Sequence, residues 1–179
     1  SIIEVEDKST ILEVAKKISE GLARVATCGT VDGEVKDLRF ELTKDCALAI
    51  ETFDSSIEGK KAYWHTTSHI MAQAVQRLFP GVKFAIGPAI DNGFYYDFDV
   101  ENPFTDEDKA NIEAEMKKII KENLAIERFS LPKAEALKLM EGQEYKQELI
   151  NELPEGEEIS FYKQGDFTDL CAGPHLEST

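Results

Sequence analysis

All three histidines of this chain fall in two short motifs about a hundred residues apart, His65-x3-His69 and Cys171-x3-His175. Imidazole and thiol are the side chains that bind borderline metals or move protons near neutral pH. Confining every histidine to two four-residue spacings implies one assembled site, so the fold must return the chain across that separation.

The two spacings are built differently. A helix is expected from Trp64 to about Phe79, stopped by Pro80-Gly81. At 100° per residue Met71, Ala74, Val75 and Leu78 gather on one side, while His65, His69, Ala72 and Gln76 fall opposite. The two imidazoles are neighbours at i and i+4, about 5–6 Å apart at Cβ. Pro174 disfavours helical geometry at Gly173, so Cys171 and His175 are expected on a turn. Two nitrogens from a helix with a sulfur and a nitrogen from a loop make a tetrahedral zinc set, although catalytic zinc keeps one position for water. A surface histidine pair and a closed zinc staple without chemistry are the competing readings.

At 179 residues, 42% hydrophobic and 31% charged, the chain can bury a core and has room for two small domains. No run approaches the roughly eighteen apolar residues that span a bilayer, and no basic start leads into an apolar stretch. A cytoplasmic location is the expectation. Three widely spaced cysteines, Cys28, Cys46 and Cys171, suit reduced thiols better than a disulfide framework. A net charge of −15 repels phosphate backbones, so any RNA contact has to be local.

The pattern is that of an α+β chain with a boundary near residue 60. In residues 1–60, Ser1 to Val5 reads as a strand. Ser9-Thr10 opens a helix through Ile18 closed by Gly21, and extended segments run from Ala26 to Thr30 and Lys36 to Leu42 around Asp32-Gly33. Ser56 to Lys60 reads as a polar linker. This module carries no phosphate-cradling glycine loop and looks like a binding or regulatory attachment. In residues 61–179, Val82 to Ile86 and Phe94 to Val100 read as strands joined through Gly87-Pro88 and Asn92-Gly93, with Phe94, Tyr96, Phe98 and Val100 alternating against Tyr95, Asp97 and Asp99. Thr105 to Asp108 opens a helix with an apolar stripe of Ile112, Met116, Ile119 and Ile120. A short helix from Pro132 to Met140, an acidic turn and a strand from Ile159 to Lys163 follow.

Three segments together carry a resemblance: His65-Thr-Thr-Ser-His69-Ile-Met-Ala-Gln-Ala-Val, Gly87-Pro-Ala-Ile-Asp-Asn-Gly-Phe-Tyr-Tyr-Asp97, and Asp169-Leu-Cys-Ala-Gly-Pro-His175. They resemble the N-terminal editing region of the bacterial threonyl-tRNA synthetase family, and residues 1–60 resemble its ubiquitin-like β-grasp (TGS) module. The likeness covers essentially the whole chain. Freestanding alanyl-tRNA editing proteins share the two His/Cys pairs, but the Gly87 to Asp97 segment and the leading module favour the threonyl family.

The resemblance implies an editing domain at residues 61–179 that hydrolyses serine from mischarged threonine tRNA. A synthetic site rejects serine poorly, because one missing methyl is worth only about 1–3 kcal/mol, whereas a second pocket can exclude threonine by its bulk. It further implies that His65, His69, Cys171 and His175 line the cleft and that Lys146 and Asp169 assist. Tyr96, Asp97 and Gly173 would shape the pocket or contact substrate. The same four donors at His65, His69, Cys171 and His175 can alternatively hold zinc. ATP and a further zinc belong to the synthetase core, whose motifs do not occur here, and that core would make the parent a homodimer. Compared with the family pattern, the module lacks an opening strand and the chain stops before the editing domain would finish, so both ends read as trimmed. The alternatives are the alanyl-type editing protein and a non-catalytic, zinc-stapled RNA-binding module.

Overall fold

The computed structural model describes Ser1–Thr179. By its contacts the chain divides into a unit of Ser1–Thr66 with Gly173–Glu177 and a unit of Thr67–Ala172 with Ser178–Thr179. Its mixture of helices and antiparallel strands is α+β.

In the first unit, Thr10 and Glu13 cap helix α1 (Ile11–Ile18) reciprocally: the Thr10 hydroxyl accepts from the Glu13 N–H, and the Glu13 carboxylate accepts from the Thr10 N–H. Satisfying two otherwise orphaned donors starts the helix, which buries Ile11, Val14 and Ala15. The helix stops at Ser19 rather than Gly21. Ser19 turns extended, and its hydroxyl accepts from Leu22 N–H to start α2 (Glu20–Val25). Strands β1 (Ala26–Val31), β2 (Glu34–Lys36) and β3 (Leu48–Thr52) form an antiparallel sheet in the order β2-β1-β3.

Two expected strands are corrected. The segment Lys36 to Leu42 is extended only at its start, because the Asp37 side chain takes the Arg39 N–H and the Asp37 carbonyl takes the Phe40 N–H. An aspartate that bonds its own backbone two residues on makes a turn. Leu38, carried inward by that turn, accepts from Leu12 N–H and is buried. Ser1 to Val5 forms no strand. It has no ladder partner in the sheet, and Ile2 is 98% exposed.

Helix α3 (Ile57–Leu78) begins seven residues before the expected Trp64. Ser56 accepts from Gly59 N–H at 3.0 Å, so the stretch expected to be a linker is a capped first turn. Gly59 lets this turn touch β3: a Cβ there would lie 2.0 Å from the Thr52 carbonyl oxygen. The face opposite the apolar stripe is not a free surface either, since His69 and Ala72 are buried and His65 and Gln76 half-buried.

In the second unit, β4 (Lys83–Phe84) pairs with β7 (Phe98–Asp99), and β5 (Ala89–Ile90) pairs with β6 (Gly93–Phe94). This is the expected hairpin, with shorter ladders. Thr105 and Asp108 cap α4 (Asp106–Glu122) as predicted, although of its stripe Ile120 faces outward while Ile112 and Ile119 are buried. Beyond it, β8 (Ile126–Leu131), α5 (Lys133–Leu139), α6 (Glu144–Glu152), β9 (Ile159–Gln164) and β10 (Phe167–Leu170) follow in order. The three strands make an antiparallel sheet β10-β9-β8. Ile70, Val75, Phe84, Tyr96, Ile119 and Phe167 belong to one core cluster. No helix is long and apolar enough to cross a membrane.

Candidate functional site

Period-two alternation along β10 decides what surrounds the catalytic candidates of the second unit. Phe167, Asp169 and Cys171 are buried at every second position, as one face of a pleated strand requires. Cys171 is pinned to β9: its N–H donates to the Ser160 carbonyl, and the Ser160 hydroxyl donates to the Cys171 carbonyl at 2.6 Å.

Asp169 sits at the centre of a buried polar cluster. Its Oδ1 lies 2.8 Å from Lys146 Nζ, and its Oδ2 accepts the Tyr96 hydroxyl at 2.5 Å. His69 Nε2 is 3.6 Å from the same Oδ2, and the His69 ring meets Phe167 edge-on at 5.8 Å. Lys146 comes from α6, where it and Ile150 form the buried side, and its ammonium lies 5.3 Å from the Tyr96 ring centre. Gln143, just before α6, ties that helix to β4 by accepting from Phe84 N–H and donating to the Val82 carbonyl. Burial, reinforced by the Asp169 charge, pushes the Tyr96 phenol well above its ordinary range, so this hydroxyl stays a donor.

Tyr96 owes its position to Gly87. A Cβ at Gly87 would lie 2.1 Å from Tyr96 Cδ2, and the Gly87 carbonyl accepts from the Ser68 hydroxyl on α3. Asp97, one residue on, points the other way and is exposed. The strand alternation therefore brings Tyr96 into the cluster and leaves Asp97 outside it.

In the first unit, the His65 and His175 rings lie 4.3 Å apart, tilted by 30°. His175 is fully buried, and its Nδ1 meets Thr66 Oγ1 at 2.9 Å. The same hydroxyl accepts from Leu176 N–H. Gly173 has a left-handed backbone, with φ of 78°, which a glycine adopts without strain. Within the first unit His65 and His175, and within the second His69 and Cys171, each place one ligand atom within 4.8 Å of the other. Imidazole and thiol are donors that suit zinc, and are equally able to hold and orient a water. With His69 buried and His65 half-buried, the helical histidines are not a surface pair.

Thr66, Asp37 and Arg39 were not among the predicted site residues. Thr66 stands beside His65, but nothing in its local sequence marks a bond to a residue more than a hundred positions on. The same holds for Asp37, whose Oδ2 accepts from His175 N–H, and Arg39, which donates to the His175 and Leu176 carbonyls.

Comparison with known proteins agrees with this architecture. Residues 1–52 match the TGS domain family. A "Threonine--tRNA ligase" of Acetivibrio thermocellus is 64% identical over 181 residues, covering 100% of this chain and 28% of that protein. Proteins of the same name from Clostridium perfringens and Caldanaerobacter subterraneus are each 61% identical, over 98% of the chain and 27% and 28% of their own lengths. The chain thus spans a little over a quarter of the curated relatives it matches. With a TGS domain at its start and this identity along its length, the chain is homologous to the N-terminal part of bacterial threonine–tRNA ligases.

Proposed function

We propose that this chain hydrolyses the ester that joins serine wrongly to threonine tRNA, as the editing part of an ATP-dependent threonine–tRNA ligase. The observation that carries the reading is the buried Lys146–Asp169 pair with Tyr96 and His69 gathered on it. An ion pair out of water is poor value for stability, because desolvation offsets most of the attraction. Such groups persist where charge has to be placed for chemistry.

In the proposed reaction a water attacks the ester carbonyl carbon at the tRNA 3′ end. His65 or His69 takes the proton from that water, and the tetrahedral oxyanion is stabilised by Lys146 or the turn amide near Gly173. The carbon–oxygen bond to ribose then breaks, the proton passes to the ribose oxygen, and serine and free tRNA leave. Tyr96 and Asp169 hold Lys146 in place. Cys171 contacts substrate rather than attacking it. The extra methyl of threonine excludes that amino acid from the pocket. Zinc held by His65, His69, Cys171 and His175 would supply Lewis-acid activation of water. The acidic chain confines RNA contact to the tRNA end.

Deacylation of seryl-threonine-tRNA by the chain tests the reading. His69→Ala is expected to lower the rate by about 10²-fold or more. Equal rates for the two proteins, both at background, would remove the hydrolytic function. Removal of serine from alanine tRNA in preference to threonine tRNA would transfer the reading to an alanyl-type editing protein.

A further inference from the structure

Two of the three side chains that hold His175 come from a turn of the TGS region that contains no catalytic candidate. Asp37 Oδ1 accepts from both the Arg39 N–H and Arg39 Nη1, each at 2.9 Å, while Oδ2 accepts from His175 N–H at 3.0 Å. Arg39 donates from Nη1 to the His175 carbonyl at 3.2 Å and from Nη2 to the Leu176 carbonyl at 2.8 Å. Thr66 takes the Leu176 N–H and His175 Nδ1. The N–H, the C=O and one ring nitrogen of His175 are therefore all bound by three side chains.

The geometry demands a guanidinium. Two successive carbonyls are met by two nitrogens of one rigid fork, and that fork is braced by a carboxylate on its own chain segment. A lysine offers a single point charge that can serve one carbonyl well. The pair is also largely shielded from water, with Asp37 and Arg39 side chains 11% and 25% exposed.

We infer that Asp37 and Arg39 are positioning residues for the hydrolytic site: they fix the His175 peptide so that its ring keeps Nδ1 on Thr66 and its place 4.3 Å from the His65 ring. The TGS region is then part of the site's construction rather than an attachment to it. This inference rests on the editing reading above. Misplacing a reacting group by about 1 Å costs up to roughly 10²-fold in rate, so loosening the peptide that carries His175 registers in turnover.

The test pairs deacylation kinetics with ring-nitrogen NMR of His175 in Arg39→Gln, Arg39→Lys and Thr66→Val. Arg39→Gln is expected to lower kcat about tenfold with KM nearly unchanged and to move the His175 ring 15N shifts. Arg39→Lys recovers part of both. Thr66→Val, which removes the hydroxyl and keeps the shape, moves the same shifts and serves if the arginine variants fail to fold. Unmoved ring shifts, with or without a loss of rate, overturn the inference. A wild-type chain without deacylation defeats the editing reading instead, and the shifts then still decide whether the clamp orients the ring.

Discussion

Two charged networks of the second unit differ in how far they are removed from water. Around Asp169, the side chains of Lys146 and Asp169 are 4% and 5% exposed and meet at 2.8 Å. Around Arg77, near the C-terminus of α3, the guanidinium reaches Glu122 at 2.8 Å and Glu115 and Asp166 at 3.2 Å, with Asp166 55% and Glu122 40% exposed. The Arg77 cluster has as many partners, yet it is the ordinary one. Exposed ion pairs keep most of their hydration and contribute little either way. The Asp169 cluster has surrendered its hydration, so each member depends on the others. Burial, more than the number of contacts, separates a candidate site from a surface staple.

The largest effect that could break this comparison lies in the buried pair. Lys146→Met leaves the Asp169 carboxylate without its ammonium and should destabilise the unit by about 3–5 kcal/mol in urea denaturation. Combining it with Asp169→Asn removes the stranded charge and should restore a large part of that loss, while deacylation remains abolished. Lys146→Met unfolding at the wild-type urea midpoint would show that the pair is not desolvated.

Next in size is the support for Tyr96. Gly87→Ala places a methyl where the Tyr96 ring lies, an overpacking that costs about 1–3 kcal/mol. It also draws the hydroxyl away from Asp169. The expected signature is a moderate loss of stability with a disproportionate loss of deacylation. Stability and activity both unchanged would mean that the hairpin shifts freely and does not position the cluster.

How much of this could be read from residues alone divides along range. Local signals held: the helix start at Ser9-Thr10, the capping pair Thr105/Asp108, the Asp32-Gly33 turn, and the alternation that separates Tyr96 from Tyr95 and Asp97. The His/Cys spacings pointed to residues that meet within a unit, as the His65 and His175 rings do. Elements whose pattern is diluted by charge escaped. In β8 both Glu127 and Arg128 are exposed, and α6 hides a lysine where a helical stripe would show an apolar residue. Helix α2 and strands β3 and β10 also went unread, the last because its buried face includes Asp169. The bond from His175 to Asp37 spans 138 positions, and no local pattern reports such a partner.

The smallest expected effect sharpens the comparison from the exposed side. Hydrogen bonds hold Glu122 (from Arg77) and Glu115 (from Lys118, then Arg77) below the usual carboxylate range. Asp166 is lowered too, since Gln73 and Arg77 outweigh the upward push of its burial. Carboxyl groups depressed by folding stabilise the protein above their unfolded values near 4.5 and 3.8, and that contribution disappears as pH falls through the folded values. Arg77→Met should therefore lower Tm less than Gly87→Ala does, by a constant amount from neutral pH down to about pH 5 and by a shrinking amount below it. It should leave deacylation unchanged. A Tm difference that persists undiminished into strong acid would mean that Arg77 acts through the packing of its aliphatic stem, and a loss of deacylation would make the Arg77 network part of the site rather than its contrast.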